Sequence, residues 1–134
     1  ETPEQIERFM TMTSDRVGLC LDTGQVAYRG ADPAALLRRW NSRVRYVHLR
    51  DLDPDITTLA RVADLPFETA VRAGLFCDPG TGLVDFASFK RAVTEAGYSG
   101  PAIVERSLLG ASPAQASATA DRTRRFYASI GLTR

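Results

Sequence analysis

Val17-Gly18-Leu19-Cys20-Leu21-Asp22, Val44-Arg45-Tyr46-Val47-His48 and Pro101-Ala102-Ile103-Val104-Glu105 are three short apolar runs, and each finishes on a residue able to bind a metal. Their apolar residues are consecutive instead of alternating, as expected of parallel strands covered on both faces. Parallel α/β folds place their working residues at the carboxyl edge of the sheet. On that reading Asp22, His48 and Glu105 meet at one edge, as a metal site would require.

The helix starts are equally clear. Thr2-Pro3, Asp32-Pro33 and Ser112-Pro113 each set a capping oxygen before a proline at the first helical position, where the missing N–H is not needed. Thr2 and Gln5 also have capping-box spacing. Apolar stripes follow: Ile6, Phe9 and Met10; Leu36, Leu37 and Trp40; and Ala116, Ala120, Tyr127 and Ile130. Asp85 caps a further helix with Phe86, Phe89, Val93 and Ala96 on one side, closed by Gly97.

Between Asp51 and Asp85 the regularity breaks. Asp53-Pro54 predicts a turn, Ile56 to Ala63 a short helix, and Pro66 the start of another through Phe67, Ala70 and Val71. Asp78-Pro79-Gly80-Thr81-Gly82 then predicts a glycine-rich turn. A long loop at the catalytic end of a sheet often covers or shapes a site.

The element order is a run of βα units, so the class is α/β. A complete eight-stranded βα barrel needs about 250 residues, whereas this chain has 134. With three clear strands it is expected to be the carboxyl-terminal part of a TIM-type (β/α)8 barrel, its last three βα units, with residues 1–134 forming one domain segment.

Composition excludes several alternatives. Hydrophobic residues make up 44% and charged residues 25%, values of an ordinary globular domain. Lys and Arg number 17 against 16 Asp and Glu, so nothing marks a nucleic-acid partner. The local groups Arg38-Arg39, Arg43, Arg45 and Arg122, Arg124, Arg125 are read as solvated helix faces. No run approaches the roughly 20 apolar residues of a membrane span. Cys20 and Cys77 have no ligand-like spacing, and Cys20 is expected to pack as a small hydrophobe, which fits a reduced, cytoplasmic setting.

The string Leu19 to Tyr28, then Gly30-Ala31-Asp32-Pro33 and Arg43 to Asp51, resembles the sugar isomerase/epimerase superfamily of xylose-isomerase-like TIM barrels. Within it the sequence is most similar to the inosose dehydratases, which dehydrate 2-keto-myo-inositol. The likeness extends through Arg72-Ala73-Gly74-Leu75-Phe76-Cys77 and Val84-Asp85-Phe86. It implies a lyase or isomerase of carbohydrate metabolism acting on a small sugar or inositol-derived ketone.

The resemblance also implies that Asp22, His48 and Glu105 hold one divalent metal, with a fourth ligand on an earlier strand. Glu1 is read as part of a helix start and not as that ligand. Two carboxylates and an imidazole suit Mn²⁺, Co²⁺ or Mg²⁺. In such enzymes the metal stabilises the enediolate formed when a proton leaves the carbon beside the carbonyl, and Glu105 is the candidate base. Each residue has a plainer use as well. Asp22 can cap a turn before Thr23-Gly24, His48 can be a core histidine, and Glu105 can pair with Arg106 or a helix arginine. Three ligand types ending three successive strands favour the metal.

Some positions depart from the family pattern. Gln25 stands where a substrate-contacting histidine is common, and Arg50 stands in place of a lysine; both remain candidate substrate contacts. Thr81 replaces a charged residue in the glycine turn, and Arg106-Ser107-Leu108-Leu109-Gly110 lacks the usual acidic residues. Alternatives to an enzyme are a catalytically inactive barrel fragment that self-associates or pairs with a missing barrel half, and a non-catalytic sugar-binding module.

Overall fold

The computed structural model describes residues 2–106, 108 and 110–132; Glu1, Ser107 and Leu109, named above, lie outside them. Helix α1 (Pro3–Met12) opens with the expected capping box, Thr2 and Gln5 each receiving the other's backbone N–H. The three runs form strands β1 (Leu19–Asp22), β2 (Val44–Leu49) and β5 (Ala102–Val104). They make one parallel sheet in the order β1-β2-β5, with Asp22 opposite His48 and His48 opposite Ile103. This is the strand sequence of consecutive barrel units.

Leu19 pairs with Val44 and Cys20 with Tyr46, so Arg45 is an extra residue in β2. The bulge lets both Val44 and Val47 reach the helix-covered face. There they join Leu21 and Leu49 against Ala34 and Leu37 of α3 (Pro33–Trp40), Phe86, Phe89 and Ala92 of α6 (Phe86–Glu95), and Tyr127 of α7 (Pro113–Ser129). Asp32, Asp85 and Ser112 accept the N-terminal amides of these three helices, as their positions predict.

The other face of the sheet is thinly covered, contrary to what consecutive apolar residues suggested. Cys20 is exposed instead of packed, because strand alternation turns it away from the helices. All three residues of β5 are exposed, and each outer strand has one partner among the described residues. On α7 the buried positions are Thr119, Thr123 and Tyr127, while Ala120 faces outward.

Two further elements escape the sequence pattern. Helix α2 (Thr23–Tyr28) begins directly on the last residue of β1, and a short antiparallel ribbon joins β3 (Asp51–Leu52) to β4 (Phe76–Cys77). Between them α4 (Pro54–Val62) and α5 (Phe67–Arg72) close a second small core of Leu52, Ala60, Ala70, Leu75 and Phe76. Among the described residues no helix is long and apolar enough to cross a membrane.

Arg43 is not part of a solvated face. It is 7% exposed and donates to the carbonyls of Met10 (2.6 Å), Thr13 (3.2 Å) and Val17 (2.9 Å). The end of α1 leaves carbonyls without intrahelical donors, and a guanidinium fork can serve several at once.

Asp51 organises the glycine turn. Its Oδ1 accepts from the amides of Leu52 (2.9 Å) and Val84 (3.0 Å), and its Oδ2 from those of Gly80 (2.8 Å) and Gly82 (3.0 Å). A Cβ on Gly82 would strike the Asp51 carboxyl group and the Leu52 carbonyl, so glycine is required there. Asp51→Asn turns an NH₂ toward amides that themselves donate, leaving buried donors unmet at roughly 1–3 kcal/mol each. The variant should lose about 2–4 kcal/mol in denaturant unfolding; a loss below about 0.5 kcal/mol would contradict the role given to Asp51.

Candidate metal centre

Asp22, His48 and Glu105 converge. One ligand atom from each lies within 4.8 Å of the others, and among the described residues they form the one group of three metal-ligand types so arranged. Asp22 and His48 are direct register partners. Glu105 follows the last residue of β5, and its N–H donates to the Leu49 carbonyl at 3.4 Å, which continues the parallel ladder to the sheet edge.

Asp22 serves two purposes through its two oxygens. Oδ1 accepts the Gln25 N–H at 3.0 Å and caps α2, while Oδ2 faces the His48 Nδ1 at 3.7 Å. The cap and ligand readings are therefore compatible. Glu105 divides similarly: Oε2 is 3.0 Å from His48 Nδ1, and Oε1 forms an ion pair with Arg50. Tyr46 meets the His48 ring edge-on, with centroids 5.4 Å apart, which limits how that ring can turn.

Arg50 reaches into the middle of the group. Its Nε lies 3.1 Å from Asp22 Oδ2 without hydrogen-bond alignment, and its guanidinium sits 4.6 Å from the centroid of the Phe76 ring. Gln25 is exposed at the rim, its side-chain Nε2 3.5 Å from Asp22 Oδ2. The Arg106 side chain turns away from Glu105 and binds Asp78 at 3.1 Å and the Phe76 carbonyl. In the glycine turn the Thr81 hydroxyl donates to the Asp78 carbonyl at 2.7 Å.

Burial is the largest influence on the Asp22 carboxyl and raises its pKa. The Gln25 amide, Arg50 and His48 pull it back down, while Glu105 adds to the rise. Burial, Asp22 and Glu105 likewise push the Cys20 thiol up, so it stays protonated and unreactive at neutral pH.

The residues around the triad carried weaker sequence signals. Thr23 and Gly24 stand in the Asp-Thr-Gly string, and Phe76 in the short apolar run before the glycine turn, yet nothing in their spacing tied them to Arg50. Asp51 differed only in following a strand and preceding a Gly-x-Gly turn.

Residues 1–126 match the family described as xylose isomerase-like TIM barrel. The chain belongs to the xylose isomerase-like TIM-barrel family. Among curated relatives it is 43% identical over 105 residues to the rhizopine catabolism protein MocC of Rhizobium meliloti. It is also 43% identical over 106 residues to an inosose dehydratase of Geobacillus kaustophilus. Each alignment takes in 78% of this chain but only 32% and 34% of those relatives, so the chain spans about a third of their length. A xylose isomerase domain protein from Planctomyces limnophilus superposes with a TM-score of 0.69 at 20% identity, over 97% of this chain and 43% of that one. The three βα units are thus part of a xylose isomerase-like barrel, with its carboxyl edge carrying the triad.

The raised pKa of Asp22 has a definite sign. Its carboxylate is disfavoured in the folded state, so this group's contribution to stability is full below the unfolded pKa and lost as pH rises through the folded one. Asp22→Asn removes the buried charge and keeps an oxygen to cap α2, whereas Asp22→Ala removes both. Both variants take a carboxylate from Arg50, so they differ by the cap: at neutral pH and without metal, Asn should be more stable than Ala by about 1 kcal/mol. Equal losses in the two variants would contradict this separation of cap from charge.

Proposed function

We propose that the chain carries the metal-binding edge of a divalent-metal-dependent dehydratase or isomerase acting on an inosose-like keto-polyol. The convergence of Asp22, His48 and Glu105 at the ends of three adjacent parallel strands carries this reading. The names of the relatives support the substrate class.

The donor set fits Mn²⁺, Co²⁺ or Mg²⁺: two carboxylate oxygens and one imidazole nitrogen, with no thiolate among them. Asp22 Oδ2, His48 Nδ1 and Glu105 Oε2 would hold the ion, and ligands from elsewhere in a complete barrel would finish its shell. Such an ion supplies positive charge that stabilises negative charge growing on the substrate's oxygens.

The chain's own residues supply the rest. The Glu105 side chain is 43% exposed, open enough to take a proton from the carbon beside the substrate carbonyl. The Gln25 amide, at the rim, donates to and accepts from substrate hydroxyls but does not carry a proton. Arg50 offers Nη1 to a substrate oxygen while Nε and Nη2 face the carboxylates. His48 stays oriented by Tyr46 and by the two carboxylates around Nδ1.

A ligand bound only by the folded state stabilises it, by about 2.7 kcal/mol at a hundred times its dissociation constant. Mn²⁺ or Co²⁺ should therefore raise the thermal midpoint, and His48→Ala should abolish the rise; a wild type indifferent to both ions would sink the metal reading.

A second reading rests on the open sheet. Among the described residues β1 and β5 each pair along one side only, β5 is exposed throughout, and an apolar groove of about 480 Å³ runs between α1 and β1 along Ile6, Phe9, Leu19 and Cys20. Unpaired strand edges beside apolar surface invite association. On this reading the isolated chain self-associates or pairs with another barrel part. Size-exclusion chromatography should then show species larger than the 14.7 kDa monomer. A monomer that unfolds in one cooperative transition would count against it.

A further inference from the structure

Arg50 is held more firmly than any surface arginine needs to be. The Thr23 hydroxyl, itself fully buried, accepts the Arg50 N–H at 2.9 Å and donates to the Arg50 carbonyl at 2.7 Å, fixing the backbone from both sides. Gly24 leaves the space: a Cβ there would come within 2.8 Å of Arg50 Cβ and 2.9 Å of the Phe76 ring. Phe76 then backs the guanidinium, whose side chain is 11% exposed. A guanidinium so enclosed is costly unless paired, and its partners are the two carboxylates of the triad.

We propose that Arg50 is the site's resident counter-cation, a positioning residue that holds Asp22 and Glu105 in ligating position without an ion and weakens divalent-ion binding by like-charge repulsion. The inference rests on the triad being a metal site. Asp22 Oδ1 is engaged by the Gln25 amide and Glu105 Oε1 by Arg50, which leaves Glu105 Oε2 toward His48. Asp22 Oδ2 faces His48 Nδ1 and Arg50 Nε together, so an ion on that oxygen would sit against the guanidinium. Two carboxylates and one guanidinium leave a single net negative charge where the two carboxylates alone would have two.

The direction of the effect follows from which ligands depend on Arg50. Asp22 is also held as the cap of α2, and His48 by strand pairing, so removing Arg50 frees chiefly Glu105. Against that small loss of order stands the repulsion between a guanidinium and a divalent ion roughly 6 Å apart, worth about tenfold in affinity even in water-like surroundings. Repulsion wins.

Calorimetric titration with Mn²⁺ of the whole chain and its variants tests this. Arg50→Gln should bind about tenfold more tightly than wild type at low salt, with the gap narrowing near 1 M salt. Arg50→Lys, which keeps the charge but not the fork, should stay within about threefold of wild type. Arg50→Gln binding no more tightly, while His48→Ala removes wild-type binding, would overturn this inference and leave the metal site standing. Arg50→Lys binding as tightly as Arg50→Gln would also overturn it, and no binding by wild type or Arg50→Gln would overturn both proposals. Should Arg50→Gln fail to fold, Arg50→Met, which removes the charge and keeps an apolar stem against Phe76, takes its place: about tenfold tighter Mn²⁺ binding than wild type is expected, and binding no tighter would overturn the inference.

Discussion

Asp22 and His48 are partners in a parallel ladder, and that register governs what the carboxyl edge of the sheet can do. In a parallel sheet all strands end on the same side, so a residue's chemistry is shared with its neighbour's only when the pairing is in step. The bulge at Arg45 adjusts the step. Before it, Leu19 faces Val44; after it, Cys20 faces Tyr46 and Asp22 faces His48. A slip of one residue would turn His48 toward the helices and Leu49 into the site. The same register pairs Leu49 with Val104, so Glu105 follows with its N–H on the Leu49 carbonyl and its carboxylate within reach of the imidazole.

The segment just beyond β2 divides its labour between neighbours. Arg50 turns to the triad, where its charge offsets two carboxylates, and Asp51 turns to the glycine turn, where its two oxygens collect four amides. Phe76 links the two regions, since its ring backs Arg50 while its strand pairs with Asp51-Leu52. The loop between Asp51 and Asp85 is therefore tied to the site by hydrogen bonds and packing, with its own small core beneath α4 and α5.

Much of this fold was readable from local chemistry. Thr2, Asp32, Asp85 and Ser112 announced their helices because a cap needs only its own next few residues. The loop helix after Pro66 followed from the same punctuation, whereas Asp53-Pro54, expected as a turn ahead of a helix from Ile56 to Ala63, itself caps and starts that helix at Pro54. Readings that depended on what lies opposite were less secure. Cys20 is exposed because its side of the sheet is bare, and Arg43 is buried because the end of α1 folds back onto it across the chain. Neither outcome is a property of the residue's own neighbourhood. Helix α2 and the β3–β4 ribbon were too short to announce themselves by periodicity.

The sequence by itself determined the class of the fold, the strands that bear ligands and the identity of Asp22, His48 and Glu105 as the candidate group, because strand runs and helix caps are set by residues close along the chain. Only the tertiary structure decided that one oxygen of Asp22 caps α2 while the other joins the triad, and that Arg50 lies between the carboxylates with Thr23, Gly24 and Phe76 holding it there. Those contacts join residues dozens of positions apart, and their meeting depends on strand register and on packing across the sheet edge, neither of which leaves a local mark in the sequence.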